Sequence, residues 1–279
     1  MVRPQDSHDL RLHAATLTVD PVPATTRWAH DVFGNSICFL EWREGMRTHH
    51  LSIVSQLDLT HYPAGPALPR ATLDPAAEQF PFSYAVEEVP DLARLAERQV
   101  PDPARLVDSW ARRFASSRLP TLQLLEAMTQ AVHEGFIYEA RYAEGTQPPT
   151  ETLQRGHGTC RDFALLMMEA VRSLGLAARF VTGYLYNTDA HETIGGGATH
   201  AWCSVYLPGA GWVEFDPTNG LIAGTNLVRV GSTRTPEQAI PMAGGFIGQP
   251  GDALPMEVDV TTAVLPEPSL QPTGAPPRG

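Results

Sequence analysis

The stretch from Gly158 to Asp216 constrains this chain more than any other. Gly158-Thr159-Cys160-Arg161-Asp162-Phe163-Ala164 leads from a glycine-bearing loop into a helix with an apolar stripe of Phe163, Met167, Ala170, Val171 and Leu174. Thr159 reads as the N-cap, Asp162 as the second half of a capping box, and Gly175 as the stop. Segments 178–186, 199–207 and 211–216 then read as strands. Two helices are expected before Cys160, one opened by Asp102-Pro103 and running to about Ser117, the other from Thr121 to about Tyr138. Helices first and strands afterwards make an α+β domain.

Upstream, residues 1–90 read as β-rich. Leu10 to Val19 alternates like a half-buried strand and is stopped by Asp20-Pro21-Val22-Pro23. Segments 37–42 and 48–57 follow as strands, and Asp31 to Ser36 supplies a turn. That pattern predicts a small β-sandwich or curved sheet. The proline-rich stretch from Tyr62 to Pro81 reads as a linker. Residues 91–235 form the expected core. Residues 236–279 form a C-terminal extension with one strand, Met256 to Val264, and a disordered tail from Leu265 to Gly279.

Charge and cysteine usage narrow the function classes. A formal net charge of -11 without a Lys/Arg cluster argues against a binder of nucleic-acid backbone. Cys38, Cys160 and Cys203 are too few and too dispersed for a disulfide framework. No apolar run is long enough to span a bilayer, and the first residues lack the apolar centre of a signal peptide. The expectation is a cytoplasmic protein, without nucleic-acid or membrane partners, in which thiols stay reduced.

Three residues carry the candidate chemistry. Cys160 falls at the first position of the capped helix, where unpaired N–H groups and the helix dipole favour a thiolate. Free thiols titrate at about 8.5, and helix N termini or a neighbouring imidazolium lower that value by roughly one to five units. His200 lies in Thr199-His200-Ala201-Trp202, on a strand where His200, Trp202 and Ser204 share one face and Ala201, Cys203 and Val205 the other. Asp216 ends the next strand just before Pro217 and is placed to orient an imidazole. Trp202 and Trp212 are expected to wall the site. Each residue has a plainer reading as well: a buried packing thiol, a structural histidine, a turn aspartate. Gln154, six residues before Cys160, could supply an amide donor to an oxyanion, although a solvated glutamine fits the same position.

Four segments, in order, resemble the bacterial transglutaminase-like family of the papain-like cysteine enzyme group. They are Gly158 to Ala164, Gly175 to Tyr184, Thr199 to Trp202, and Trp212-Val213-Glu214-Phe215-Asp216-Pro217-Thr218-Asn219. Asp31-Val32-Phe33-Gly34-Asn35 resembles that family's β-rich N-terminal region. The resemblance implies a papain/transglutaminase-like core, with a nucleophile at a helix N terminus packed on an antiparallel sheet, behind a small β-rich N-terminal domain. It implies Cys160 as nucleophile, His200 as general base and acid, and Asp216 as the orienting carboxylate. It also implies a peptide or protein substrate attacked at a peptide or carboxamide bond through a thioester, with hydrolysis favoured over transamidation. No cofactor and no metal are implied. Family members usually begin with a strand or two before a segment like Val2 to Asp9, so a first β-hairpin is expected to be missing here.

Two alternatives stay open. His157-x-x-Cys160 and His200-x-x-Cys203 mimic paired zinc ligands, although residues three apart on a strand face opposite sides. The other is a catalytically inactive protein-binding module. The substrate and the oligomeric state are not legible in the sequence.

Overall fold

The computed structural model describes residues 1–63, 65–141, 145–186, 194, 198–249, 251–252 and 256–265. Strand β1 (Leu10–Asp20) leads to a hairpin of β2 (Thr25–His30) and β3 (Ser36–Glu41), and β4 (Ser52–His61) returns antiparallel to β1. The hairpin turn is an Asp31 loop: its carboxylate accepts the amides of Phe33 (2.9 Å) and Asn35 (2.8 Å), and Gly34 adopts φ 82°. The expected sandwich does not form. Each strand pair is a separate two-stranded ribbon, and β2 and β3 bury no residue fully, so the hairpin offers no inner face for a second sheet.

The proline-rich stretch is more than a linker. It holds α1 (Ala67–Thr72) and a short 3-10 turn (Pro75–Ala77) capped by Asp74. Ala77 is buried, and its carbonyl accepts the Thr121 hydroxyl at 2.6 Å. Helix α2 (Val89–Ala96) follows, with Leu92 and Leu95 buried; no helix was expected there. Helix α3 spans Leu106–Ala115 rather than starting at Asp102. Asp102 still caps it from one turn upstream, accepting the amides of Leu106 (2.8 Å), Val107 (3.1 Å) and Asp108 (3.1 Å). Helix α4 (Thr121–Gly135) stops short of Tyr138, because Phe136 turns extended and β5 (Ile137–Tyr138) pairs in parallel with β6 (His157–Gly158). Between them lies α5 (Pro149–Arg155), ended by Gly156 at φ 69°.

Helix α6 (Cys160–Ser173) is the centre of the molecule. It is buried on every side from Asp162 to Arg172 rather than along one stripe, because α3, α4 and α5 cover the flanks that the sheet leaves open. Each fully buried Leu or Met on it contributes about 1.5–3 kcal/mol. Beyond Asp162 at its start, two further charges, Glu169 and Arg172, lie within this core. Arg172 donates to Glu169 (2.9 Å) and to the carbonyls of Leu95, Ala178 and Arg234. Glu169 also accepts from Arg98 and from the amides of Gln99 and Val100. Both ions are therefore paired and hydrogen-bonded, which a buried charge requires.

The sheet is antiparallel throughout, in the order β10 (Leu221–Ile222), β9 (Gly211–Asp216), β8 (His200–Leu207), β7 (Ala178–Leu185), β11 (Leu227–Thr233). Ala201, Cys203, Val205 and Leu207 face α6, while Trp202 packs on the reverse side with Val181, Leu185 and Leu227. Gly183, paired with His200, is required there: a Cβ would lie 2.1 Å from the Val228 carbonyl and 2.7 Å from the Trp202 ring. The N-terminal region docks on the β11 edge. The Asn35 amide pairs with Ser232 N and O, both at 2.9 Å, and Asp9 salt-bridges Arg229 at 3.2 Å. The strand expected over Met256 to Val264 does not form: among the described residues that segment has no partner strand to complete a ladder. Of the tail expected to be disordered, residues 266–279 lie outside the described residues.

Removing one half of the buried ion pair should leave the other uncompensated. Glu169→Ala is expected to lower unfolding stability by about 3–5 kcal/mol, read from urea denaturation.

Candidate active site

The local sequence builds the start of α6 first. Thr159 is the N-cap, with Asp162 N to Thr159 Oγ1 at 3.4 Å and Thr159 N to Asp162 Oδ2 at 2.9 Å, closing the expected capping box. The Asp162 carboxylate also takes both Arg141 guanidinium nitrogens, at 2.8 and 2.9 Å, and the Gln147 amide at 2.6 Å. A Cβ on Gly158 would come within 3.0 Å of the Asp162 Cβ, so glycine lets the loop pass this crowded corner. Cys160 is thereby held at the first position of the helix, 8% exposed.

His200 opens β8, and its ring Nε2 lies 2.8 Å from Asp216 Oδ2, with both side chains fully buried. Trp202 stacks beside the imidazole, ring centres 5.9 Å apart. Burial pushes His200 down, but the Asp216 carboxylate and then the Cys160 thiol outweigh it and raise the pKa to about 10. Burial pushes Asp216 up, yet the His200 charge and the bonds from His200, Asn219 and Thr218 hold it below the usual carboxylate range. With Nε2 committed to Asp216, Nδ1 is left for the thiol. Nδ1 has no hydrogen-bond partner among the described residues, and catalytic pairs of this kind commonly tighten once substrate binds.

The structure thus brings Cys160, His200 and Asp216 to one place. Trp212 is not there. It pairs with Tyr206, six residues along β8 from His200, or roughly 20 Å. It packs instead on Tyr206 and under the Arg179 guanidinium, 3.8 Å from its ring centre. Gln154 lies exposed on α5 and makes no hydrogen bond among the described residues.

The zinc alternative scatters its ligands. Cys203 is fully buried on the α6 side with its thiol toward the Phe215 carbonyl (3.6 Å), and His157 pairs with Glu139 at 2.9 Å. Burial pushes the Cys203 thiol up. Among the described residues no three His, Cys, Asp or Glu side chains gather as a metal site. A cleft of about 170 Å³ opens elsewhere, between the N-terminal region and β9 and β11, lined by Asp9, His61, Glu214 and Arg229.

Several residues of the site escaped the sequence reading. Tyr138 registers opposite Gly158 and packs against the cluster that includes Cys160; burial, then the Cys160 charge, raises its pKa. Its only signal was an aromatic in a run that extends the helix period. Gln130 and His133 of α4 hold the turn after β9 through the carbonyls of Gly220 and Thr218, both at 2.8 Å. Asn219 donates to Asp216 Oδ2 at 2.8 Å. These are tertiary contacts with no spacing rule to reveal them.

Residues 108–217 match the transglutaminase-like superfamily, and residues 1–60 match the bacterial transglutaminase-like N-terminal region. Uncharacterized proteins of Mycobacterium bovis and Mycobacterium tuberculosis are 30% identical over 94% of this chain and 84% of theirs. A crystal structure of a candidate cysteine protease from Cytophaga hutchinsonii shares the fold with a TM-score of 0.63 at 18% identity, over 85% of this chain and 76% of that one. The fold and the matched segments define a transglutaminase-like protein. The chain belongs to the bacterial transglutaminase-like family.

The ion pair gives a signed pH dependence. His200, with its folded pKa raised from 6.5, contributes stability that is complete below about 6.5 and lost as pH rises through about 10. Asp216, with its folded pKa lowered from 3.8, contributes stability above about 3.8 that is lost as pH falls through the folded value. The stability gap between the native chain and Asp216→Asn is therefore expected to be widest near pH 5 and to shrink above pH 10, measured by urea unfolding across that range.

Proposed function

We propose that this protein is a thiol-dependent acyl-transfer enzyme acting on peptide or carboxamide bonds, with water as the principal acceptor. The observation that carries the reading is the buried His200–Asp216 pair, whose free Nδ1 is left for a cysteine at a helix N terminus. The Cys160 thiolate attacks the carbonyl carbon. As the C–N bond breaks, the His200 imidazolium gives its Nδ1 proton to the leaving amine, leaving a thioester on Cys160. His200 then takes a proton from water, which attacks the thioester carbonyl. The C–S bond breaks, and acid and thiolate are released with the imidazolium restored. An amine in place of water gives transamidation by the same steps. Asp216 holds the ring tautomer and stabilises the imidazolium throughout. The Cys160 backbone N–H, unused by the helix at its first turn, is the proposed donor to the oxyanion.

Peptide or protein chains are the proposed substrates. A reducing, cytoplasmic location is part of the reading, supported by three free cysteines. Iodoacetamide at pH 6 is expected to label Cys160 stoichiometrically, and Cys160→Ser to abolish that labelling as read by intact mass. Undiminished labelling of the variant would remove the nucleophile assignment. Turnover of peptide and glutamine libraries with and without an added amine then separates hydrolysis from transfer.

A further inference from the structure

The turn after β9 holds the Asp216 carboxylate by more than its own backbone. The amides of Thr218 (3.0 Å) and Asn219 (3.4 Å) donate to Oδ1, while the Asn219 side-chain Nδ2 donates to Oδ2 at 2.8 Å. Oδ2 is the same oxygen that accepts His200 Nε2. Asn219 is also tied at its other end. Its Oδ1 accepts the Ile194 amide at 2.8 Å, and Nδ2 makes a longer bond, 3.3 Å, to the Ile194 carbonyl.

That second tie decides which end of the amide faces the carboxylate. A flipped Asn219 would set its oxygen against Asp216 and its NH2 against the Ile194 N–H, losing both bonds. The Ile194 backbone therefore selects the donor end for Asp216. From below, Gln130 and His133 of α4 fix the turn, and Gly220, at φ 66°, has no room for a Cβ beside the Gln130 amide (2.9 Å).

We propose that Asn219 is a positioning residue for the His200–Asp216 pair: its amide locks the carboxylate in the rotamer that turns His200 Nδ1 toward Cys160, and couples that carboxylate to the β7–β8 connection at Ile194. The inference rests on reading Cys160, His200 and Asp216 as one reactive site, a reading that the labelling of Cys160 tests separately.

The titratable groups around the pair are the Cys160 thiol from α6 and Cys203 on β8, with His133 of α4 at the neighbouring Thr218 carbonyl. None of them replaces the Asn219 donor at Oδ2. Withdrawing that donor removes a hydrogen bond to the charged form of Asp216, so the carboxyl should titrate higher. A carboxylate free to turn away stabilises the imidazolium less, so His200 should titrate lower.

The experiment follows both groups by NMR in the full chain, in a Cys160→Ser background with and without Asn219→Ala. Asp216 is expected to rise and His200 to fall, each by at least about half a pH unit, or roughly threefold in proton affinity. Should Asn219→Ala fail to fold, Asn219→Ser keeps a polar side chain in the turn while withdrawing the amide, and is read the same way. A loss of thermal stability with either group moving by less than that amount assigns Asn219 to folding alone and overturns the proposal. Failure of both variants to fold overturns it as well.

Discussion

The buried Asp162 carboxylate is the interaction on which the rest of the molecule depends. It receives Thr159 through both backbone and hydroxyl, both arms of Arg141, and the Gln147 amide. One ion thereby joins the helix start, the loop after β5 and the approach to α5. A fully buried carboxylate tolerates that position only when its lone pairs are met, so these segments must arrive together. Cys160 inherits its place from this constraint.

Downstream of that corner, the sheet behaves as a rigid frame carrying the second half of the site. The antiparallel register of β8 and β9 brings the end of one strand to the start of the other, so Asp216 and His200 meet although they lie sixteen residues apart. The N-terminal ribbons stay outside this arrangement. They attach to the β11 edge through Asn35, which substitutes for a backbone peptide, and through the Asp9–Arg229 pair. An edge strand covered in this way is no longer a template for pairing with another chain.

Much of this was legible residue by residue. Thr159 and Asp162 announced the cap, Gly175 the stop, and the alternation around His200 put Cys203 on the opposite face. What escaped was context. Trp212 looked like a wall of the site because it neighbours Asp216 in the chain, but the strand register carries it to the far end of β8. Asp102 was recognised as a helix starter, yet Arg105, in a left-handed conformation, delays the helix while the cap persists. Strand β10 has only two residues, and β11 is buried along most of its length, so neither shows a clean alternation. The Met256 to Val264 segment had enough, but no strand among the described residues accepts it.

The sequence by itself determined the elements whose signals are local: the capped helix, its thiol at the first position, three strands, and the facing of the one that carries His200. Caps and alternation act within a few residues, so their physics is complete in the chain order. Only the tertiary structure decided which nitrogen of His200 is committed to Asp216, that Asn219 and Ile194 brace that carboxylate, and that α6 is buried on every side. Those outcomes depend on strand register and helix packing, where distant residues compete for the same lone pairs and the same volume.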